Sequence, residues 1–160
     1  MLPKKTIKAY KTTKVNWAKT QAEIVQLLER KGIKDIQFTF LSSVMANRSQ
    51  IATEKGTSVL DTRFIIPYSP HGLGVRILVP NITEENRNQM HRLLLWYLKS
   101  KFEAVESGLV EVMQEFLPHL VIQDKEGKTA TLYQIILPQY LKALESGEQG
   151  EIKMLPDRAG

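Results

Sequence analysis

Apolar and polar positions along the chain follow two rhythms, one with a period of two and one with steps of three and four. The period-two segments predict strands. Thr13, Val15 and Trp17 alternate with Lys14 and Asn16 over Lys11 to Trp17, and Ile36, Phe38 and Phe40 alternate with Asp35, Gln37 and Thr39. Leu60, Thr62, Phe64 and Ile66 oppose Asp61, Arg63 and Ile65, up to Pro67. Val75, Ile77 and Val79 oppose Arg76 and stop at Pro80, and a brief further strand is expected at Gln50 to Thr53.

The helical rhythm begins after Thr20, where Thr20 and Glu23 have the spacing of a capping box and Ile24, Leu27 and Leu28 form a buried stripe. Gly32 supplies a left-handed residue past the helix end and Ile33 the apolar contact that accompanies it. Thr83 can cap a second helix, with Glu84 and Glu85 in its first turn and Met90, Leu93, Leu94, Tyr97, Leu98 and Val105 as its core stripe. Ser107-Gly108 breaks it. Leu109, Val112, Met113 and Phe116 start a third helix that Pro118 limits. Asp124 to Gly127 reads as a turn. Leu132, Ile135, Ile136, Tyr140, Leu141 and Leu144 form a last helical stretch, bent or split at Pro138 and closed by Gly147.

The resulting order is strand, helix, three strands, then three helices. Helices fail to alternate with strands, which argues against a parallel doubly wound sheet. The order predicts an α+β fold, a small antiparallel sheet of three to four strands with helices packed on one face. Residues 1–10 are expected to be a basic arm, 11–147 a single domain and 148–160 a loose tail.

Charge changes this picture more than composition does. The net charge is +5, and residues 1–22 hold Lys4, Lys5, Lys8, Lys11, Lys14 and Lys19 without one acid. The rest of the chain has 16 basic residues against 17 acidic ones, so the excess sits on the arm. An arm of this kind suits phosphate or an acidic partner surface. With no cysteine there is no disulfide, zinc-thiolate site or cysteine nucleophile. No run of about 18 apolar residues marks a membrane span, and the N-terminal lysines precede no apolar stretch, so a cytoplasmic location without a membrane partner is expected.

Candidate chemistry is sparse. His71 lies in the Ser-Pro-His-Gly loop without a nameable partner, and His91 falls opposite the main helical stripe, a surface or boundary position. Glu111, Glu115 and His119 recur at four-residue steps, as ligands of a metal site in a helical bundle do. Pro118 breaks that register, so no metal and no cofactor is expected. Glu126-Gly127-Lys128 and Glu151-Ile152-Lys153 have the Glu-x-Lys spacing of metal-dependent nucleases, but the first sits in a turn rather than a core strand.

Nucleic-acid binding is the best supported expectation. Lys4, Lys5, Lys8, Lys11 and Lys14 interleave with Tyr10 and Trp17, and Arg63 and Arg76, with Arg48 and Lys55, would extend a positive strip across the outer sheet face. Such cations hold phosphates and such aromatics stack on bases. The alternative is an interaction protein whose acidic helical face (Glu103, Glu106, Glu111, Glu115) binds a host or phage protein, with a homo-oligomer as one form.

Four blocks carry a family resemblance: Lys11 to Val15 (KTTKV), Leu94 to Gly108 (LLWYLKSKFEAVESG), Glu115 to Val121 (EFLPHLV) and Ala143 to Gly147 (ALESG). In this order the chain resembles small uncharacterised proteins of bacteriophages, prophages and related mobile elements. The resemblance implies a setting, an accessory protein on mobile DNA that handles DNA or interferes with a host protein, and it carries no catalytic residues; the partners expected overall are DNA or RNA, or a host or phage protein.

Overall fold

The computed structural model describes residues 8–123 and 125–147. Within them the chain is α+β. Three long strands, β1 (Ile36–Ser42), β2 (Ser58–Tyr68) and β3 (His71–Ile82), form an antiparallel meander in the order β1-β2-β3. Helix α1 (Trp17–Arg30) precedes the sheet and α3 (Arg87–Glu106) follows it. After α3 come the short α4 (Val112–Phe116), a 3-10 turn (Leu117–His119), a two-stranded hairpin of β4 (Val121–Gln123) and β5 (Thr129–Thr131), and α5 (Leu132–Glu145). An antiparallel bridge between Val75 and Leu120 ties the hairpin to the edge of β3.

The period of two decides which sheet face is covered. Leu60, Phe64 and Ile66 of β2 join Val75 and Ile77 of β3, and Phe38 packs beside them. Ile24, Leu27 and Leu28 of α1 and Leu94, Leu95, Leu98 and Phe102 of α3 close this core from one side, with Phe116 beneath them. The two helices run parallel. Trp17 N–H donates to Asn88 at 2.8 Å, Gln21 reaches His91, and Lys31 pairs with Glu106 at the far end. A second, small cluster lies on the opposite face, where α2 (Ser43–Arg48) sets Ala46, with Ile51, over Val59, Leu41 and Leu78.

Several elements differ from the sequence expectation. Lys11 to Trp17 is not a strand. Asn16 caps α1 by accepting from Ala18 N–H at 2.8 Å, so the helix starts three residues before Thr20. Thr20 is then fully buried inside the helix rather than capping it. Gly32 (φ +80°) and the Ile33 N–H bond to Leu28 O at 3.0 Å close the helix as expected. The polar stretch after β1 forms α2, and no strand occurs at 50–53.

The expected loop at 68–74 is a tight hairpin end, with β3 already paired at His71. Thr83 and Asn86 exchange side-chain bonds to each other's backbone N–H (2.8 and 3.2 Å), which holds a turn that delays α3 to Arg87. The buried face of α3 is also rotated from the expected stripe. It comprises His91, Leu94, Leu95, Leu98, Lys101 and Phe102. Thr131 and Gln134 make a capping box for α5, which continues through Pro138 as one helix.

Leu98 is completely buried between α1, α3 and the sheet. Leu98→Ala is expected to destabilise the fold by about 2–5 kcal/mol, read as a lower urea midpoint without loss of the cooperative transition.

Candidate functional site

On the face of the sheet away from the large core, Arg63 and Arg76 are directly opposite one another on β2 and β3. Two like charges so placed repel. Asp61 lies two residues along β2 and resolves the conflict. Its carboxylate accepts from Arg76 Nη2 at 2.8 Å and Nε at 3.2 Å, and from Arg63 Nη2 at 3.0 Å and Nε at 3.2 Å. The Asp61 and Arg76 side chains are only 3% and 7% exposed, whereas Arg63 is 42% exposed. Burial by itself would raise the Asp61 carboxyl, but hydrogen bonds and charge from Arg76 and Arg63 outweigh it and hold the group below its ordinary value.

Of the two sheet arginines expected to meet phosphate, Arg76 is therefore sequestered and Arg63 is half engaged. Arg63 borders a shallow recess of about 450 Å³ with Asp35, Gln37, Gly74, Val121 and Thr129. The recess offers one cation beside one carboxylate.

The described part of the arm is different. Lys8, Lys11 and Lys14 are exposed, as are Tyr10 and Lys19. Their segment is not free-floating, because Gln89 Nε2 donates to Ala9 O at 2.9 Å and Asn88 holds Trp17 N–H. These bonds lay the arm across the first turn of α3. There the Arg87 guanidinium sits 5.6 Å from the Trp17 ring centre and 5.2 Å from that of Phe40. Arg87 Nε is buried without a hydrogen-bond partner. Lys4 and Lys5 lie outside the described residues.

Under Arg87 lies His91, which is completely buried and not the surface residue expected from the sequence. Its Nδ1 is 2.7 Å from Arg87 O, which can only accept, so Nδ1 carries the proton and Nε2 accepts from Gln21 Nε2 at 3.1 Å. Burial pushes the His91 pKa down, Arg87 charge adds to this, and the backbone bond opposes it.

A second polar cluster joins α3 to the 3-10 turn. Lys101 is buried over the Tyr97 ring (4.5 Å) and hydrogen-bonds Glu115 O at 3.1 Å and Oε1 at 3.2 Å. Tyr97 OH meets His119 Nε2 at 2.8 Å. Burial, then the Lys101 charge, push the His119 pKa down to about 4, against the opposing pull of a backbone bond at Arg76 and the Glu115 charge. Glu115 and His119 thus serve different partners. Glu111 stands before α4 on the exposed side, and no group of three His, Asp or Glu among the described residues could hold a metal ion.

Of the proposed acidic face, Glu106 is paired with Lys31 and Glu115 with Lys101, and Glu103 and Glu111 stay exposed. Glu126 and Lys128 form an exposed ion pair at 3.5 Å beside the hairpin turn, whereas Asp124 and residues 151–153 lie outside the described residues. His71 is exposed at the start of β3. Among the described residues no helix is long and apolar enough to cross a membrane. Comparison with protein-family models, with curated proteins and with solved structures finds no match for this chain.

Sequence reasoning missed Asp61, His91 and Lys101 as organising groups. For the last two a signal was present, since 91, 94, 95, 98, 101 and 102 share one helical face. Removing the Asp61 charge with Asp61→Asn leaves Arg76 buried without its counter-ion. The expected loss is about 3 kcal/mol or more, measured by urea unfolding at pH 7.

The histidines set a pH dependence. Both folded-state pKa values lie below the ordinary 6.5, so the unfolded chain binds protons first as pH falls. Their stabilisation is complete above pH 6.5 and is lost on acidification, for His119 down through about 4. Urea midpoints should decline between pH 7.5 and 4.5, and less steeply in His119→Gln.

Proposed function

We propose that this chain is a non-enzymatic nucleic-acid-binding accessory protein of a mobile element, holding phosphates through its N-terminal lysines. The observation that carries this reading is the run of exposed Lys8, Lys11 and Lys14, without a neighbouring acid before Glu23, on a segment pinned to the head of α3. Lysines of this kind contribute through counter-ion release, a term that is independent of sequence and weakens with salt. Exposed Tyr10 lies among them, where its ring can stack on an unpaired base. The Arg87 cation beside Trp17 and Phe40 lies at the same end of the molecule, where the exposed Glu84 and Glu85 precede it.

The sheet face has a smaller part than the sequence suggests. Asp61 neutralises one of two arginine charges, so Arg63 alone extends the patch and Arg76 serves the fold. The resemblance to proteins of bacteriophages and prophages supports a setting in which such binding is useful. The buried imidazoles are held by structural partners, which favours binding over catalysis.

Fluorescence anisotropy with a 20-nucleotide single strand and the matching duplex, at 50 and 200 mM salt, tests this. The full chain should bind at low salt and lose affinity at high salt. Replacing Lys8, Lys11 and Lys14 together by Ala should lower the slope of log affinity against log salt by about 2. Tyr10→Ala should weaken the single strand more than the duplex. Absence of binding at 50 mM salt, or an unchanged slope in the triple variant, would refute the arm model.

A further inference from the structure

Among the described long helices, α5 is the least buried. It is rich in apolar residues, yet none of its fourteen residues is buried. Leu132 packs on the main core, while Tyr133, Ile136, Tyr140, Leu141 and Leu144 remain exposed by 57%, 49%, 54%, 48% and 37%. Their spacing of three and four residues places them on one stripe along the helix. Soluble chains rarely leave such a stripe in water unless something covers it.

We propose that a second copy of this chain covers it, the two α5 helices packing antiparallel across a twofold axis. Size is the first argument. The five side chains leave roughly 500 Å² of surface open, given the 150–250 Å² that an aromatic residue can bury. An interface core about two-thirds apolar around such a stripe is close to the roughly 800 Å² per partner of a stable complex. Leu117, 46% exposed in the 3-10 turn against which α5 packs, extends it.

Charge is the second argument, and it selects the partner. The helix carries one cation, Lys142, and one anion, Glu145, both in its last turn, with uncharged Gln134 and Gln139 elsewhere along it. It therefore has no charge pattern with which to choose a foreign charged surface. An isologous contact needs only a patch complementary to itself, and an apolar stripe meets that requirement. The antiparallel sense follows because a parallel pair would set Lys142 beside its copy. Reversal places the two last turns at opposite ends of a helix about 21 Å long.

This inference stands apart from the nucleic-acid reading, since the lysines lie at the opposite end of the chain. Light scattering behind size exclusion of the full chain at about 100 μM, well above the micromolar range that interfaces of this size reach, should give twice the 18.3 kDa chain mass. Leu141→Lys should halve the mass and leave the far-ultraviolet circular dichroism unchanged, because Leu141 is 48% exposed and belongs to neither hydrophobic cluster. Ile136→Lys, one turn away, should do the same, which guards against a local defect in either variant. Lys8→Ala/Lys11→Ala/Lys14→Ala should keep the double mass. A single-chain mass for the unsubstituted protein at this concentration would overturn the proposal and leave α5 to a different partner. A double mass that survives both lysine substitutions would overturn it too, because the contact would then lie elsewhere.

Discussion

A three-stranded sheet has two faces, and the two long helices of this chain can bury only one of them. That constraint shapes the rest of the molecule. Leu60, Phe64, Ile66, Val75 and Ile77 go to the helices, and the alternate residues Asp61, Arg63 and Arg76 are committed to the other side by the pleat. Opposed arginines on adjacent strands are tolerable only with a carboxylate between them, and Asp61 fills that position. Its burial makes the triad a structural device, with the outer arginine left to face solvent.

The helical layer obeys a similar logic. Because α1 and α3 lie parallel, their polar groups meet at four levels: Trp17 with Asn88, Gln21 with His91, Glu23 with Arg92, and Lys31 with Glu106. A histidine fits the second level only as the neutral tautomer that donates to Arg87 O and accepts from Gln21. A lysine reaches full burial on α3 because Glu115 and the faces of Tyr97 and Phe116 receive it. Buried polar groups are retained here where each finds a partner. Thr62 Oγ1 and Arg87 Nε find none, and Arg87 lies at the end of the molecule that also carries the exposed lysines.

Much of this was legible in the residues themselves. Ile24, Leu27, Leu28, Gly32 and Ile33 specify a helix and its end by local chemistry that no tertiary context can easily override. The parity of Leu60, Phe64 and Ile66 identified the inner face of β2. The start of α1 was not legible, because Thr13, Val15 and Trp17 alternate over too few residues to be told from irregular chain, and the Asn16 cap competes for the same stretch. Pro80 predicts a strand stop, yet β3 continues to Ile82, since β3 lies at the edge of its sheet, where a missing donor is tolerated.

The sequence by itself determined the α+β class, the inner and outer sides of each long strand, and the gathering of excess positive charge before α1. These depend on periodicity and composition, which are local properties. Only the tertiary structure decided that Arg76 is spent on Asp61, that Gln21 meets His91 and Glu115 meets Lys101, and that the outer stripe of α5 stays exposed. Each of those facts depends on which residues distant in the chain become neighbours, and no local pattern encodes that distance. The exposed lysines and the apolar stripe of α5 are what remain in solvent after the fold has satisfied its other groups.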